Sequence, residues 1–424
     1  MKLSVELLAE RLASALGAES VSIDAELLAS RAIDGRLPKL LCRTGSAAEV
    51  AAALSICADA QAIVIPWGGG TTTALGNAPH GADVIIDLKK LDRVIEHDPA
   101  NLTVTVQSGM TLAAVQSALE PHRQFVPIDA PLPERATVGG TVAANLNGPR
   151  RSFYGGVRDL VIGMKLALAN GELIKVGGKV VKNVAGYDMC KLFVGSLGTL
   201  GIITEVTMRV APVAESAATV IAAGTLAQVR QYTEDLLSSS LLPAAVSVIN
   251  ARPVHKWRAA VWCEGFNETV ARQRRDAEVL SNRFGMSAEI LSSKEHRVFW
   301  SGICDFPLQQ NRFVCRVTLP RAAMFDFIQK LPISGAPAMA ADAAVGTLWL
   351  AYEPRKSAAQ KFAELVSLAQ AQRGHAMLCS APAELKRGIE VWGASPPAIS
   401  LMREIKRQFD PADLINPGRF LGGI

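Results

Sequence analysis

Residues 65–77, IPWGGGTTTALGN, are the stretch on which the expected fold depends. Three consecutive glycines and three consecutive threonines follow a short apolar run. Glycine lets backbone N–H groups converge where a Cβ atom would clash, and such a nest binds anions, phosphate above all. The loop lacks both the Gly-Lys-Ser/Thr of a P-loop and the GxGxxG spacing. Taken alone, it is equally consistent with a plain glycine turn between two strands.

Two further glycine turns favour the ligand-binding interpretation. Residues 137–151, TVGGTVAANLNGPRR, carry a second glycine pair among small residues, and residues 127–137, PIDAPLPERAT, form a proline-rich entry to them. Residues 182–205, KNVAGYDMCKLFVGSLGTLGIITE, carry a third glycine turn that leads into a strand. Three such turns suit one long ligand that is held at several points, and a dinucleotide is long enough.

The chain of 424 residues is longer than one hydrophobic core usually serves, so more than one domain is expected. The sequence predicts an N-terminal helical segment over 1–37 and an α/β pattern over 38–213. Within it, Asn170 and Gly171 predict a type I′ hairpin turn. After residue 213 glycines become sparse, and alternating strands and helices predict an α+β domain over 214–424 with a helix-covered sheet. The end of the chain, FDPADLINPGRF, is typical of a helix stop and a turn.

Composition excludes several classes of protein. The net charge is only +5, with both signs interspersed, which argues against a nucleic-acid platform. Seven scattered cysteines form no CxxC pair, so neither a zinc site nor an iron–sulfur cluster is expected, and a reducing cytoplasm suits them. The sequence has no apolar run long enough to span a membrane. We therefore expect a cytoplasmic protein; contact with the inner face of a membrane would come only through the partner subunits that the resemblance described below implies.

Four motifs occur in an order that resembles the FAD-binding domain of the vanillyl-alcohol oxidase / PCMH-type flavoprotein superfamily. They are PWGGGTTTALG, ERATVGGTVAANLNGP, KNVAGYD and GSLGTLGIITE. The narrower phrases LNGPRRSFYGGVRDLVIG and FDPADLINPGR resemble the E subunits of bacterial glycolate oxidases. The resemblance implies an α+β fold: a PCMH-type two-subdomain FAD-binding domain followed by an α+β cap domain with an antiparallel sheet.

The resemblance also implies residues that bind FAD. Pro66, Trp67, Gly68, Gly69, Gly70, Thr71 and Thr72 would form the pyrophosphate loop, although Trp67 stands where a small or basic residue is common. Pro131 to Thr137 would run beside the flavin and the diphosphate, with Gly139 and Gly140 against the cofactor. Ala144 to Asn147 would line the flavin edge, and Gly198, Thr199, Gly201, Ile202 and Ile203 would lie along the ribityl and adenine parts. No histidine or cysteine lies in the glycine loop, so the FAD is expected to be non-covalent.

Catalytic candidates are fewer, and each has a structural alternative. Arg150 and Arg151 are expected either to bind a substrate carboxylate or the diphosphate, or to form a solvated pair. His375 is a candidate base for an alcohol proton, and the alternative is a core or edge histidine. Lys182, Asn183, Tyr187 and Asp188 lie in a turn that either contacts the flavin or only stabilises itself. His255, His296 and His375 lie far apart, so no metal is expected.

Three functions remain open at this point. The first is an FAD-binding subunit of a glycolate oxidase-type complex that oxidises a 2-hydroxy acid, glycolate or D-lactate. Its partners would be a larger FAD subunit and an iron–sulfur subunit. The second is a stand-alone FAD-dependent dehydrogenase for a 2-hydroxy acid or alcohol, and the third is a flavin-bearing scaffold subunit with no substrate site of its own.

Overall fold

The computed structural model describes residues 3–178, 187–251, 256–309, 312–332, 336–355 and 357–424. Strands of the first half are β1 (Val21–Ser22), β2 (Leu40–Arg43), β3 (Val64–Trp67), β4 (Val84–Asp87), β5 (Val94–Asp98), β6 (Thr103–Gln107), β7 (Gln124–Phe125), β8 (Val161–Ala167), β9 (Leu173–Gly177), β10 (Ile202–Arg209) and β11 (Ala211–Pro212). Strands of the second half are β12 (Ser216–Gly224), β13 (Ala245–Ala251), β14 (Lys256–Gly265), β15 (Ser287–Ser292), β16 (Phe313–Thr318), β17 (Ala338–Asp342), β18 (Thr347–Tyr352) and β19 (His375–Ser380).

Helices alternate with these strands along the chain. The α-helices are α1 (Val5–Leu16), α2 (Ala25–Ala29), α3 (Ala47–Asp59), α4 (Leu112–Leu119), α5 (Val138–Ala144), α6 (Arg151–Tyr154), α7 (Val157–Leu160), α8 (Cys190–Phe193), α9 (Leu226–Ser238), α10 (Asn267–Arg283), α11 (Ser293–Asp305), α12 (Met324–Lys330), α13 (Ala358–Gln370), α14 (Ala383–Lys386) and α15 (Ile399–Phe409). None of these helices, within the described ranges, is long and apolar enough to cross a membrane.

A small sheet with the order β1-β2-β4-β3 carries the glycine loop. Strands β2, β3 and β4 are parallel and their residues are almost all buried, as a sheet covered on both faces requires. Helices α1 and α3 pack on it through Leu12, Val50 and Leu54. Because β3 ends at Trp67, the chain enters the glycine loop at the carboxyl edge of this sheet, where ligands of open parallel sheets usually bind.

A second sheet, antiparallel and ordered β5-β6-β10-β8-β9, forms the other half of the domain. Strand β10 buries Ile202, Thr204, Val206 and Met208, the face that its sequence alternation predicts. The predicted type I′ turn between β8 and β9 is wrong. Gly171 has φ +83°, but Asn170 is not in the left-handed region, and Gly171 donates its N–H to the Leu168 carbonyl. The turn therefore follows the longer hairpin pattern, in which only the glycine needs positive φ.

The second half of the chain forms one eight-stranded antiparallel sheet, ordered β15-β12-β14-β13-β17-β18-β16-β19. Helices α9, α10, α12 and α13 cover one face, and their apolar side chains share one core with it, including Tyr232, Phe327 and Phe362. Helix α11 covers part of the opposite face through Trp300, which packs with Trp262. With the two N-terminal sheets, this arrangement confirms the predicted α+β fold: a two-part first domain followed by an α+β cap with an antiparallel sheet.

The last segment of the chain returns to the first domain. Ile415 forms a parallel bridge with Val64 of β3 and lies in the same core as α1 and α3. The buried Lys406 fixes the turn that precedes Ile415. Its Nζ contacts Asp410 Oδ2 at 2.6 Å and donates to the carbonyls of Thr199 and Ile415. Residues 399–424 thus pack on the first domain, although the sequence boundary at residue 213 assigns them to the second.

Candidate functional site

The glycine loop is closely packed against its own domain. A Cβ atom on Gly69 would lie 1.7 Å from the carbonyl oxygen of Arg135. Gly70 has φ +69°, and a Cβ there would lie 2.7 Å from the ring of Trp67. Trp67 is itself buried beneath the guanidinium of Arg31, 5.1 Å from the ring centroid. These glycines are therefore required by the folded loop itself as well as by any ligand.

A cavity of about 840 Å³, here called the glycine cavity, opens beside this loop. The predicted cofactor residues that line it are Pro66, Trp67, Gly68, Gly69, Gly70, Thr71, Thr72, Thr137, Gly139, Gly140, Ala144, Gly198, Gly201, Ile202 and Ile203. Three of the predicted cofactor residues do not line this cavity. Pro131 and Asn147 line a neighbouring cavity, and the buried Thr199 hydroxyl donates to the Ser196 carbonyl instead.

Polar groups around the glycine cavity lack partners. The backbone N–H groups of residues 69–73 donate no hydrogen bond to any described residue. Ser108 Oγ, Asn416 Oδ1 and Arg419 Nε are also buried without a partner among the residues that the structure describes, and all three residues line the cavity. Buried polar atoms without partners are costly, so these groups fit a ligand with many acceptors and some donors. A diphosphate with its attached ribityl and ribose hydroxyls supplies both.

The C-terminal segment holds the threonine part of the loop. Arg419 is buried, and its Nη2 donates to the carbonyl of Thr73 at 2.6 Å, while its Nη1 contacts Asp34 Oδ2 at 3.2 Å. Lys386 Nζ donates to the same Asp34 oxygen at 2.6 Å and to the Ala74 carbonyl at 2.9 Å. We call Asp34, Lys386 and Arg419 the loop clamp. Sequence reasoning noticed FDPADLINPGRF but gave its Asn416 and Arg419 no role.

Two more cavities continue from the first. The threonine cavity, about 740 Å³, shares residues 70–73 with the glycine cavity and reaches Leu146, Pro307 and Trp349. The arginine cavity, about 600 Å³, shares those last three residues and is also lined by Arg151, Arg316 and Asp342. The three cavities therefore form a series from the glycine loop to the inner face of the cap sheet. An elongated ligand bound at the loop would extend toward the cap.

Arg150 is paired with carboxylates of the protein, and its predicted anion-binding role stays a prediction. Its guanidinium binds Asp129 in a bidentate ion pair, with Nη2 2.5 Å and Nε 2.9 Å from Oδ1, and lies 3.4 Å from Glu264 Oε2. It also stacks over the ring of Trp262 at 4.5 Å. Glu264 accepts a further bond from the Tyr154 hydroxyl. Since two buried carboxylates already neutralise Arg150, its role is to join the first domain to the cap.

The other predicted residues lie apart from the cavities. His375 begins β19 and is not among the lining residues of these three cavities. Cys379, near the other end of the same strand, lines the threonine cavity. Burial lowers the pKa of His375. Tyr187 is 92% exposed rather than buried, and Lys182 and Asn183 lie outside the described residues.

Neither a metal cluster nor a reactive thiol is evident in the described part of the chain. No group of three His, Cys, Asp or Glu side chains is placed to hold a metal ion there. The described residues that line the glycine cavity include no histidine or cysteine. Cys379 lines the threonine cavity, but burial raises the pKa of its thiol to about 11, and burial also raises the pKa of Cys304 in the arginine cavity. Such thiols are poor nucleophiles.

Comparison with known proteins shows what this site is similar to. Residues 38–177 match the family model described as an FAD binding domain. This part of the chain is therefore similar to FAD binding domains. The match covers the glycine loop and the second glycine turn, so the glycine cavity lies largely within it. The free N–H groups and unpartnered side chains there fit FAD.

Curated relatives of the chain include two glycolate oxidase subunits and an FAD-linked oxidoreductase. The chain is 36% identical to the glycolate oxidase subunit GlcD of Bacillus subtilis over 48% of this chain and 43% of that protein. It is 42% identical to the glycolate oxidase subunit GlcE of Escherichia coli over 30% of this chain and 37% of that protein. An uncharacterized FAD-linked oxidoreductase of Mycobacterium tuberculosis is 26% identical over 91% of both chains. The first relatives are thus matched over less than half of their length.

Solved structures show the same fold at low identity. A p-cresol methylhydroxylase structure aligns with TM-score 0.77 and 15% identity, over 98% of this chain and 96% of that one. An alkyldihydroxyacetonephosphate synthase aligns with TM-score 0.73 and 18% identity, over 98% and 85%. In both cases the likeness extends through the cap as well as the FAD binding domain.

Proposed function

We propose that the chain binds FAD without a covalent bond in the glycine cavity. The N–H groups of residues 69–73 would bind the diphosphate, and Ser108, Asn416 and Arg419 would supply the other polar contacts. The absence of a described histidine or cysteine from the cavity lining supports the non-covalent mode. When bound, FAD supplies the capacity to accept a hydride, and the protein binds and orients it.

We propose further that the protein is an oxidoreductase that converts a 2-hydroxy acid, glycolate or D-lactate, to the 2-oxo acid. The observation that carries this proposal is the series of cavities, which leads from free backbone N–H groups to the arginine cavity with its two arginines. A small carboxylate suits such a cavity. Relatives named as glycolate oxidase subunits and a D-lactate dehydrogenase of Anaerostipes hadrus support the choice of substrate class.

We propose that the chain works as a subunit beside a larger FAD subunit and an iron–sulfur subunit, in the cytoplasm. Similarity to both GlcD and GlcE supports a glycolate oxidase-type complex. A stand-alone dehydrogenase is the alternative. The 26% identity with the mycobacterial FAD-linked oxidoreductase along 91% of both chains is the observation that favours it.

Steady-state oxidation of glycolate and D-lactate with an artificial electron acceptor separates these functions. The chain is assayed alone and after co-expression with the two partner subunits. A subunit should co-purify with them and turn over much faster in the complex than alone. Fast turnover by the chain alone, with no gain from the partners, contradicts the subunit role. A complex that is equally active with a flavin-free variant of this chain indicates a scaffold.

A further inference from the structure

The arginine cavity contains positive charge that the described protein does not neutralise. Its walls come from residues 145–151 of the first domain, from the end of α11 and from the cap strands β13, β16, β17 and β18. Arg151 forms no side-chain hydrogen bond or ion pair with any described residue. Arg316 contacts only the sulfur of Met377, at 3.1 Å, and the ring of Trp349, 5.8 Å from the centroid. Arginine without a carboxylate partner is well suited to bind a planar anion.

Two carboxyl groups line this cavity, and one of them, Asp129, is already paired with Arg150. Asp342 is the other, and one of its two oxygens lacks a partner. It ends β17, and its Oδ1 accepts a hydrogen bond from the Ala344 N–H at 3.2 Å. Its Oδ2 is buried with no partner among the described residues. Burial raises the pKa of Asp342 to about 7, although the nearby Arg151 opposes this rise. The group can therefore take up or release a proton near neutral pH.

We propose that the arginine cavity is the substrate site, in which Arg151 and Arg316 bind the carboxylate and Asp342 Oδ2 accepts the hydroxyl proton. This inference rests on the proposed function, which supplies FAD as the oxidant. The O–H proton passes to Asp342, and the Cα–H bond breaks with its electron pair leaving to the flavin. The C–O bond becomes a carbonyl, so that one 2-oxo acid and one reduced flavin result. Asp342 thus performs the role for which the sequence offered His375.

Binding of an inert anion tests the two arginines without any turnover. Oxalate is titrated by calorimetry into the FAD-loaded chain. Arg151→Ala and Arg316→Ala should each weaken oxalate binding about tenfold or more, since each removes charge-assisted hydrogen bonds. Arg316→Lys should recover part of the loss, and Arg321→Ala, an exposed arginine just beyond β16, should bind as wild type. Wild-type affinity in both alanine variants, or no oxalate binding by the wild type, overturns the proposal.

Proton uptake tests Asp342 in the same experiment. A bound anion raises the pKa of a neighbouring carboxyl group, so oxalate binding slightly above neutral pH should draw a proton onto Asp342. With an anionic substrate bound, the ionised Asp342 that accepts the hydroxyl proton should therefore prevail only at a more alkaline pH. Calorimetry in buffers of different ionisation enthalpy measures this uptake. Asp342→Asn should still bind oxalate but take up no proton, while Asp276→Asn, on the exposed face of α10, should behave as wild type. Undiminished proton uptake by Asp342→Asn places Asp342 outside the site.

Turnover and flavin content give the remaining controls. In the active assembly, Asp342→Asn should lower kcat about 10²-fold or more, as loss of a general base does, with little change in KM. If the lowered kcat of Asp342→Asn returns to the wild-type level at high pH, where hydroxide can replace the base, the result also supports the base role. An unchanged kcat contradicts it. A chain that holds no FAD contradicts the proposed function itself. A chain that holds FAD but binds oxalate independently of both arginines contradicts only this inference.

Discussion

Arg419 donates a hydrogen bond to the carbonyl of Thr73 at 2.6 Å, although 346 positions separate the two residues. Through this contact, the position of the threonine part of the glycine loop depends on the C-terminal segment. Its guanidinium also contacts Asp34, which Lys386 holds in the same clamp. The geometry of the glycine cavity is thus fixed jointly by three distant parts of the sequence.

Loss of the clamp should weaken FAD binding. Arg419→Ala removes the bonds to the loop and leaves Asp34 with one fewer cation, so we expect FAD affinity to fall about tenfold or more, with a lower Tm. Fluorescence titration of the apoprotein with FAD measures the affinity. Arg407→Ala, an exposed residue of α15, is the matched control. If both variants bind FAD equally well, the clamp does not shape the cavity.

Gly69 should tolerate no side chain. In Gly69→Ala the new Cβ would meet the carbonyl oxygen of Arg135, so the loop must move and its N–H groups must lose their arrangement. We expect FAD binding to be lost while the far-UV circular dichroism is retained. Gly302→Ala, in α11, meets nothing within 4 Å and should bind FAD as wild type. Wild-type FAD affinity in Gly69→Ala would show that the loop does not hold the cofactor.

Arg150 should matter for stability. Removing it leaves Asp129 and Glu264 buried without their cation, which typically costs about 3–5 kcal/mol of unfolding free energy. Urea unfolding of Arg150→Ala measures this loss. Arg151→Ala, whose side chain pairs with no described residue, should stay within about 0.5 kcal/mol of wild type. Equal stability of the two variants contradicts the structural role of Arg150.

Asp342 should make stability depend on pH. Its pKa is about 7 in the folded chain against an ordinary value of 3.8, so between these values the native state holds a proton that the unfolded state releases. Stability should therefore fall as pH rises through this window and should level off above it. Asp342→Asn removes the fall, so the variant should match wild type near about pH 4 and exceed it near about pH 8. A constant stability difference between the two proteins contradicts the raised pKa.

Sequence patterns predicted the parts of the site that depend on local chemistry. The glycine turns line the glycine cavity as expected, and the buried alternation of β10 is confirmed, because each is specified by neighbouring residues. The clamp residue Asp34 and the pairing of Arg150 with Asp129 depend on contacts between distant segments, for which the sequence carries no local signal. Arg151 was a candidate anion ligand from the sequence, but Asp342 gave no signal, because only the cap sheet brings β17 opposite the second glycine turn.

FAD content of the purified chain tests the central claim most directly. The protein is purified, loaded with FAD if necessary, and then denatured with acid, and the flavin in the supernatant and in the pellet is identified and quantified by chromatography. We predict intact FAD in the supernatant, in an amount equimolar with the chain, and a flavin-free pellet. Failure to take up added FAD would contradict the assignment of the glycine cavity, and flavin that remains in the pellet would contradict non-covalent binding.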